Sequence, residues 1–402
     1  MEKKRGKPML ENNVSFLKAP CTGCGACEVI CGKEAINIQM SKEGFFEAVV
    51  DKATCINCGK CLDVCIRAGD FTRCSAIKDG KLVAARSTDS IVLQKASSGG
   101  AVSEFYKTAL SKGYKIIGTE YDLSKEKAMM QISDSVVAIN RFAGSKYIQS
   151  YTCDALEEVV CYTKSDKHHR AIVVGTPCQI YGINNMLHEL KIRDQFILVD
   201  FFCHGVPSYL VWNSYLKYIK SRLNVSKIDN VVFRDKGYGW HNYWIKVEAE
   251  GKQYSSLGAL DCFYTAFFDN QFVNKSCLNC KLRGDFSGAD IRVGDFWGKQ
   301  FENDDDGVSA IVKLTKRGGD FFNQCSNIQV LGRYELSDIM PYQSCGPYKE
   351  NPLRDQIFKK LFESQDLTAA MKIYQKQYSI TKKGKLAVKR VLRKLPNKII
   401  LF

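Results

Sequence analysis

Between about residues 96 and 350, the chain alternates short apolar runs with longer segments in which apolar residues recur every three or four positions. Short apolar runs are typical of buried strands, and the longer recurrence is typical of amphipathic helices. The predicted strands are Lys115–Thr119, Ala171–Val174 and Phe196–Phe202, and the predicted helices are Ser98–Leu110, Asp154–Thr163, Gln179–Leu190 and Pro207–Leu223. This alternation favours an α/β domain whose ligand site lies at the loops that follow the strands.

The segments around this region predict a chain of several parts. A hairpin-like stretch, Ala35–Asp51, lies within a small N-terminal unit, and a second hairpin is predicted over Tyr243–Ser255 with its turn at Glu250-Gly251. The predicted boundaries are 15–70 for the small unit, 71–95 for a connector, 96–350 for the large domain and 351–402 for a helical basic tail.

The composition indicates a globular, metal-binding chain. A length of 402 residues with 45% hydrophobic residues is enough for two or three domains. No run of eighteen apolar residues is present, and the basic start lacks the apolar core of a secretory signal. Eighteen cysteines without an export signal indicate a reducing compartment and metal rather than disulfides. We therefore expect a cytoplasmic, oxygen-sensitive protein.

The formal net charge of +15 is concentrated at the C-terminus. Residues 381–402 contain eight Lys or Arg and no acidic residue, and removing them leaves +7, so the charge does not indicate a nucleic-acid-binding protein. Apolar side chains recur there at helical spacing, at Val388, Val391, Leu392 and Leu395. Such a helix could make a peripheral membrane contact, but packing on its own domain is favoured, because one short helix binds a membrane only marginally.

Eight cysteines in the first 65 residues form two copies of the spacing C-x2-C-x2-C-x3-C, offset by 34 residues. In this run the first three thiolates bind one [4Fe-4S] cluster and the fourth binds the neighbouring cluster. Gly32 and Ile66 replace the proline that commonly follows the fourth cysteine. Paired structural zinc sites are the alternative, although zinc knuckles rarely use this spacing. The predicted ligand sets are Cys21, Cys24, Cys27 and Cys65 for one cluster, and Cys55, Cys58, Cys61 and Cys31 for the other.

Three loops of the large domain have the composition of a phosphate or nucleotide site. Ser97 to Gly100 (SSGG) opens a predicted helix, where free backbone N–H groups attract anions, although the same residues could simply cap the helix. Residues 144–150 (GSKYIQS) add hydroxyls, a cation and an aromatic ring, and residues 175–179 (GTPCQ) follow a buried strand. No G-x-G-x-x-G sequence occurs, so a conventional dinucleotide site has no support.

A second group of cysteines lies near these loops. Cys277 and Cys280 form a C-x2-C half-site, and Cys178 and Cys203 follow predicted strands. The four would bind a third cluster if their loops converge. Otherwise Cys178 and Cys203 are buried apolar residues, and the pair binds zinc or nothing. The remaining cysteines have no metal-ligand spacing and are predicted to fill the core: Cys74, Cys153, Cys161, Cys262, Cys325 and Cys345.

The motifs SSGG, GSKYIQS, GTPCQIYG, DFFCHGVPS, FRDKGYGW and C-x2-C…DIRVGDFWG occur in this order over residues 97–298. In this order they resemble the family of coenzyme F420 hydrogenase and dehydrogenase beta subunits, preceded by a two-cluster ferredoxin module. The resemblance implies FAD in the α/β domain and favours the third cluster, without implying use of the deazaflavin. It implies a small bacterial-type ferredoxin domain of α+β class, a larger α/β flavin-binding domain and a helical basic C-terminus.

The same resemblance supplies candidate site residues. The candidates for FAD binding are Ser98, Gly99, Gly100, Ser145, Lys146, Tyr147, Gln149, Gly175 and Thr176, and those for contact with substrate or flavin ring are His204, Arg234, Lys236, Asp295 and Trp297.

Two functions are compatible with these residues. The first is an iron–sulfur flavoprotein oxidoreductase that exchanges electrons with ferredoxin or another redox partner and acts on a small-molecule acceptor. Some members of the resembled family are associated with surface-polysaccharide synthesis, which suggests that the acceptor belongs to that metabolism. The alternative is a non-catalytic relay subunit of a larger redox complex. A basic nucleic-acid-binding zinc protein is disfavoured by the order of the motifs.

Overall fold

The computed structural model describes residues 12–242, 244–270, 272–376 and 384 of the 402-residue chain. Its N-terminal module, residues 12–70, contains α1 (Ala26–Val29), β1 (Ile36–Met40), β2 (Phe46–Val50) and α2 (Lys60–Asp63). The strands β1 and β2 are antiparallel, which confirms the hairpin predicted over Ala35–Asp51. Gly25 and Gly59 directly precede the two helices with φ of 83° and 81°, which side chains rarely adopt. The two cysteine motifs therefore share one local conformation.

The large domain is built on a mixed sheet, which has nine strands within the described residues. Neighbouring strands follow the order β16 (Ile328–Tyr334), β4 (Lys81–Ser87), β15 (Ser309–Lys313), β14 (Ile291–Asp295), β9 (Phe196–Phe201), β8 (Ala171–Val174), β5 (Lys115–Asp122), β6 (Lys127–Ser133) and β7 (Ser150–Tyr151). The central strands β14, β9, β8 and β5 are parallel to one another, and antiparallel strands flank them on both sides. This architecture confirms the mixed α/β class.

Two smaller sheets accompany it. One pairs β3 (Ser75–Ala76) with β13 (Phe286–Ser287), and the other has the order β10 (Asn230–Asp235), β11 (Trp244–Ala249) and β12 (Lys252–Leu257). The strands β11 and β12 form the second predicted hairpin.

Helices cover both faces of the large sheet. The helices that follow the N-terminal module are α3 (Ser90–Lys95), α4 (Ala101–Ser111), α5 (Val136–Phe142), α6 (Cys153–Ser165), α7 (Pro177–Glu189), α8 (Tyr209–Leu223), α9 (Cys262–Phe268), α10 (Lys316–Phe322), α11 (Arg354–Ser364) and α12 (Leu367–Gln375), and α11 and α12 pack against α8. The four predicted helices are confirmed with small shifts of their ends. For example, α4 begins at Ala101 rather than Ser98, because Gly100 has a left-handed φ of 79° that ends the preceding loop.

The strand β8 shows how the sheet separates two apolar cores. Ala171 and Val173 belong to a core that includes residues of α6, α7 and α8, whereas Ile172 and Val174 belong to a core with residues of α4, α5 and α10. The first core also contains apolar residues of the N-terminal module, among them Phe46. The module therefore packs on the same face as α7.

Residues 71–95 differ from the predicted connector. They contain β3, β4 and α3, and β4 is an inner strand of the large sheet between β15 and β16. The sequence signal for β4 is weak because the apolar run from Leu82 to Ala85 is only four residues long and half of it is alanine, a poor strand former. The sheet of the large domain thus begins before residue 96.

The described part of the tail contains α11 and α12. The basic helix predicted around Val388 to Leu395 lies outside the described residues. Among the residues that the structure describes, no helix is both long and apolar enough to cross a membrane.

Candidate functional site

The first three cysteines of the first motif lie together with the last cysteine of the second motif. Burial raises the pKa of the Cys65 thiol to about 12, and the charges of Cys24 and Cys21 add to this increase. Burial likewise raises the pKa of Cys27, with further contributions from Cys24, Cys21 and Cys65. Such mutual effects require short distances between the thiols. These four thiols thus lie near one another, and Cys61 of the second motif also contributes to the raised pKa of Cys27, so the two predicted sets are neighbours.

The second motif forms the neighbouring group. Burial raises the pKa of Cys61, and the charges of Cys55 and Cys58 raise it further. Cys58 is solvent-exposed, unlike the other seven cysteines of the two motifs. The Cys31 sulfur accepts a hydrogen bond from the Ala35 amide at 3.4 Å.

The four cysteines of the large domain also converge. Cys178 is in the first turn of α7, Cys203 follows β9, and Cys277 ends a 3₁₀ turn that precedes Cys280. Burial raises the pKa of Cys203 to about 12 and that of Cys277 to about 11, and neighbouring thiols of the group raise both. Burial raises the pKa of Cys178 as well, with contributions from the other three.

Close buried thiols repel one another once ionised, and an iron–sulfur cluster relieves this repulsion by binding each thiolate to iron. The donor set therefore fits a four-iron cluster. In the described part of the chain, no three His, Cys, Asp or Glu side chains are grouped as ligands of a single metal ion.

Arg283 is a charged neighbour of this group that is absent from the residues predicted from the sequence. Its side chain is buried and donates a hydrogen bond to the Cys277 carbonyl, and its guanidinium lies 3.6 Å from the centre of the Tyr348 ring. The positive charge opposes the increase in the pKa of both Cys203 and Cys277. The sequence feature that could have identified Arg283 is its position three residues after the second cysteine of the C-x2-C pair.

A cavity of about 910 Å³ lies at the carboxyl ends of β8, β9 and β14. This volume is in the upper part of the range for cofactor sites. Cys203 is in its wall, whereas Cys178, Cys277 and Cys280 are not, so the large-domain thiol group meets the cavity through Cys203. Among the predicted site residues, those that line it are Ser98, Gly100, Ser145, Lys146, Tyr147, Gly175, Thr176, His204, Arg234, Asp295 and Trp297.

Three candidates are not in the cavity wall, and Gly99 and Gln149 are two of them. A side chain on Gly99 would lie 2.6 Å from the Ser309 amide nitrogen, so this glycine permits close packing of two backbone segments. The Gln149 side chain accepts a hydrogen bond from the Phe46 amide at 2.7 Å and donates one to the Thr22 carbonyl at 2.9 Å. Gln149 thus joins the large domain to the N-terminal module.

Lys236 is the third such candidate. Its Nζ donates hydrogen bonds to the carbonyls of Ser98 at 3.1 Å and Asp306 at 2.6 Å. Burial, followed by the charge of Arg234, lowers its pKa to about 8. Lys236 therefore holds the SSGG loop through the Ser98 carbonyl and does not itself line the cavity.

Lys146 lines the cavity, but its ammonium group caps the C-terminus of helix α5. Its Nζ donates to the carbonyls of Arg141, Phe142 and Ala143 at 2.8, 3.0 and 2.8 Å, which are at the C-terminus of α5. Burial lowers the pKa of Lys146 to about 7, whereas the three carbonyls favour its protonated form. All three donors of the ammonium group are thus occupied by the protein.

Arg234 and Asp295 form a buried ion pair at one end of the cavity. The Arg234 Nη1 is 2.7 Å from the Asp295 Oδ2, and the Trp240 indole nitrogen donates to the Asp295 Oδ1 at 2.8 Å. The Trp240 and Trp297 rings are stacked 4.7 Å apart, and the Arg234 guanidinium lies 5.1 Å from the Trp297 ring centre. These contacts fix the orientation of Trp297 in the cavity wall.

His204 lies between the large-domain thiols and the cavity. Burial, and next the charge of Arg283, lowers its pKa to about 4, so the imidazole is neutral near pH 7. Its buried Nε2 makes no hydrogen bond of regular geometry among the described residues, although the Asn270 side chain is close enough to raise the pKa of the imidazole slightly. A buried polar atom without a partner is costly, and a ligand in the adjoining cavity would relieve that cost.

Comparison with known families agrees with this arrangement. Residues 82–157 and 168–339 match the N-terminal and C-terminal models of the coenzyme F420 hydrogenase/dehydrogenase beta subunit, which together cover more than half of the chain. Residues 20–68 match a 4Fe-4S dicluster domain.

Among individual proteins, the beta subunit of the coenzyme F420 hydrogenase of Methanococcus voltae is 26% identical over 269 residues, which are 64% of this chain and 85% of that protein. A subunit of the F(420)H(2) dehydrogenase of Methanosarcina mazei is 26% identical over 188 residues, covering 44% of this chain and 51% of that protein. An uncharacterized protein of Methanocaldococcus jannaschii is 25% identical over 351 residues, covering 76% of this chain and 86% of that protein.

Among solved structures, a chain of the F420-reducing [NiFe] hydrogenase complex from Methanosarcina barkeri is 19% identical, with a TM-score of 0.45 over 75% of this chain and 94% of that one. The two family models and the dicluster match cover the cavity, the large-domain thiols and the N-terminal module in one chain. This protein therefore belongs to the family of coenzyme F420 hydrogenase/dehydrogenase beta subunits and carries a 4Fe-4S dicluster domain at its N-terminus.

Proposed function

We propose that this chain is an iron–sulfur flavoprotein oxidoreductase that binds FAD in the 910 Å³ cavity and a third [4Fe-4S] cluster on the large-domain thiols. The observation that carries the proposal is the position of Cys203, which belongs to the converging thiols and also lines the cavity. Bound FAD exchanges two electrons at once, whereas each cluster exchanges one. In this proposal both kinds of group lie side by side, because Cys203 is shared by the thiol group and the cavity wall.

The residues of the cavity have separate roles in this proposal. The amide groups at the start of α4, after Gly100, are free of intrahelical partners and suit the diphosphate of FAD. Ser98 is held in place because its hydroxyl donates to the Val308 carbonyl at 2.8 Å. Trp297, oriented by Trp240 and Arg234, contacts a planar ring, and His204 donates or accepts a hydrogen bond through Nε2.

A relay subunit without its own substrate is the second candidate. It is favoured by the names of two relatives, which are a hydrogenase subunit and a dehydrogenase subunit. In either case the partner is a redox protein, and ferredoxin is the class predicted from the sequence. The cavity favours the enzyme over the relay, because a relay needs no large cofactor site beside its clusters.

Anaerobic purification followed by iron, sulfide and flavin analysis tests the proposal. We expect about twelve irons, from three four-iron clusters, and one FAD per chain. Cys178→Ala should lower the iron content to about eight. Cys161 is exposed, so its predicted place in the core was wrong, and Cys161→Ala should leave the iron content unchanged. About eight irons with FAD would remove the third cluster, and about eight irons without any flavin would favour the relay.

A further inference from the structure

We infer that Asn274 and Gly182 are positioning residues that fix the separation between two thiol groups. These are the inner N-terminal set (Cys21, Cys24, Cys27 and Cys65) and the large-domain set (Cys178, Cys203, Cys277 and Cys280). The inference rests on the proposed function, because it requires clusters on both sets.

Asn274 connects the two sets through hydrogen bonds. Its Oδ1 accepts from the Ser276 amide at 2.8 Å and so caps the turn that carries Cys277. Its Nδ2 donates to the Cys21 carbonyl at 3.1 Å. The residue is buried, and its own amide donates to the Val206 carbonyl at 2.9 Å, so the side chain has little freedom to move. One amide group therefore spans the backbones of both sets.

Gly182 connects the sets through helix α7. This helix carries Cys178 in its first turn, and Gly182 follows four residues later, about 6 Å along the helix axis. A Cβ atom at position 182 would lie 2.9 Å from the Cys24 sulfur and 2.9 Å from the Ala26 methyl group. Both distances are shorter than a Cβ atom tolerates, so only glycine lets the N-terminal module approach α7 this closely.

The second cysteine motif lies next to the inner set. Helix α2, which carries Cys61, contacts helix α1, which carries Cys27. Cys58, in contrast, is solvent-exposed. The inner N-terminal set therefore borders both the second motif and the large-domain set, and Asn274 and Gly182 act at its junction with the large-domain set.

Magnetic interaction between reduced clusters measures their separation. We expect the anaerobically reduced, fully loaded chain to show a splitting in its electron paramagnetic resonance spectrum from the inner and large-domain clusters. Asn274→Ser keeps a side-chain oxygen that can cap the turn but is too short to reach Cys21, so it should decrease the splitting at unchanged iron content. Asn140→Ser, at an exposed asparagine bonded to Lys95, is the matched control and should leave the spectrum unchanged.

Gly182→Ala is the second, independent variant. The added methyl group must displace Cys24 or Ala26, so this variant should also decrease the splitting. Gly319→Ala in helix α10, where an added methyl group meets no atom within 4 Å, is its control. If both variants retain all their iron and show the wild-type splitting, the inference is overturned. If the wild-type chain holds only about eight irons, the proposed function fails instead, so the two failures are distinguishable.

Discussion

The N-terminal module contains two predicted sets of four thiols and the large domain contains one, and these sets span very different lengths of chain. The two N-terminal motifs place their eight cysteines within residues 21–65, and three members of each set lie within seven residues. The large-domain set draws one thiol from a helix, one from the end of a strand and two from a loop, spread over residues 178–280. A local arrangement is thus visible in the spacing, whereas a distant one depends on the fold of the whole domain.

The two regions also differ in what stabilises them. The regular structure of the N-terminal module consists of helices α1 and α2, each four residues long, and one hairpin. Helices this short and a single hairpin are not stable alone in water. The large domain instead has a nine-stranded sheet within the described residues, with apolar cores on both faces. We therefore expect the module to depend on its clusters for folding and the sheet to be independent of them.

Removing iron should produce the largest effect and tests this difference directly. In protein prepared without iron, amides of residues 20–68 should lose their protection from hydrogen exchange, while those of β8 and β9 keep theirs. For comparison, zinc contributes about 10–16 kcal/mol to the folding of small metal-binding modules. Hydrogen exchange followed by mass spectrometry measures both regions in one sample. Equal protection of the module with and without iron would show that its contacts with α7 are enough to hold it.

The sequence predicted the local features well and the distant ones only in part. The spacing of Cys21 to Cys31, repeated at Cys55 to Cys65, predicts two cysteine groups because three ligands of each group come from one short segment. The role of Gln149 could not be predicted, because its partners Phe46 and Thr22 are more than one hundred residues away. Arg283 follows the C-x2-C pair closely, but its contact with Tyr348 could not be predicted, since it requires two separate loops to meet.

Breaking a buried ion pair should affect the large domain next most strongly. Arg292 in β14 and Asp200 in β9 are both fully buried, and the guanidinium binds both carboxylate oxygens at 2.7 and 2.5 Å. Arg292→Met leaves the Asp200 charge without its cation and should lower the free energy of unfolding by about 3–5 kcal/mol. Urea titration of the purified protein measures this value.

The control for Arg292→Met is an ion pair at the surface. Lys316 and Asp320 are 3.0 Å apart and largely exposed, so Lys316→Met should change the stability by less than about 1 kcal/mol. Equal losses in the two variants would show that burial of the Arg292 pair has no special importance for the sheet.

Gln149 gives the smallest predicted effect and tests the boundary between the two regions. Its buried side chain bonds the Phe46 amide and the Thr22 carbonyl of the N-terminal module. Gln149→Leu has similar size but leaves these groups without partners, which should cost about 1–3 kcal/mol. Because Gln149 does not line the cavity, FAD content at saturation should equal that of the wild type. Gln149→Glu, which keeps an acceptor for the Phe46 amide but loses the donor to Thr22, should give an intermediate loss. A variant that loses FAD while its stability is unchanged would return Gln149 to the flavin site and contradict its role in joining the two regions.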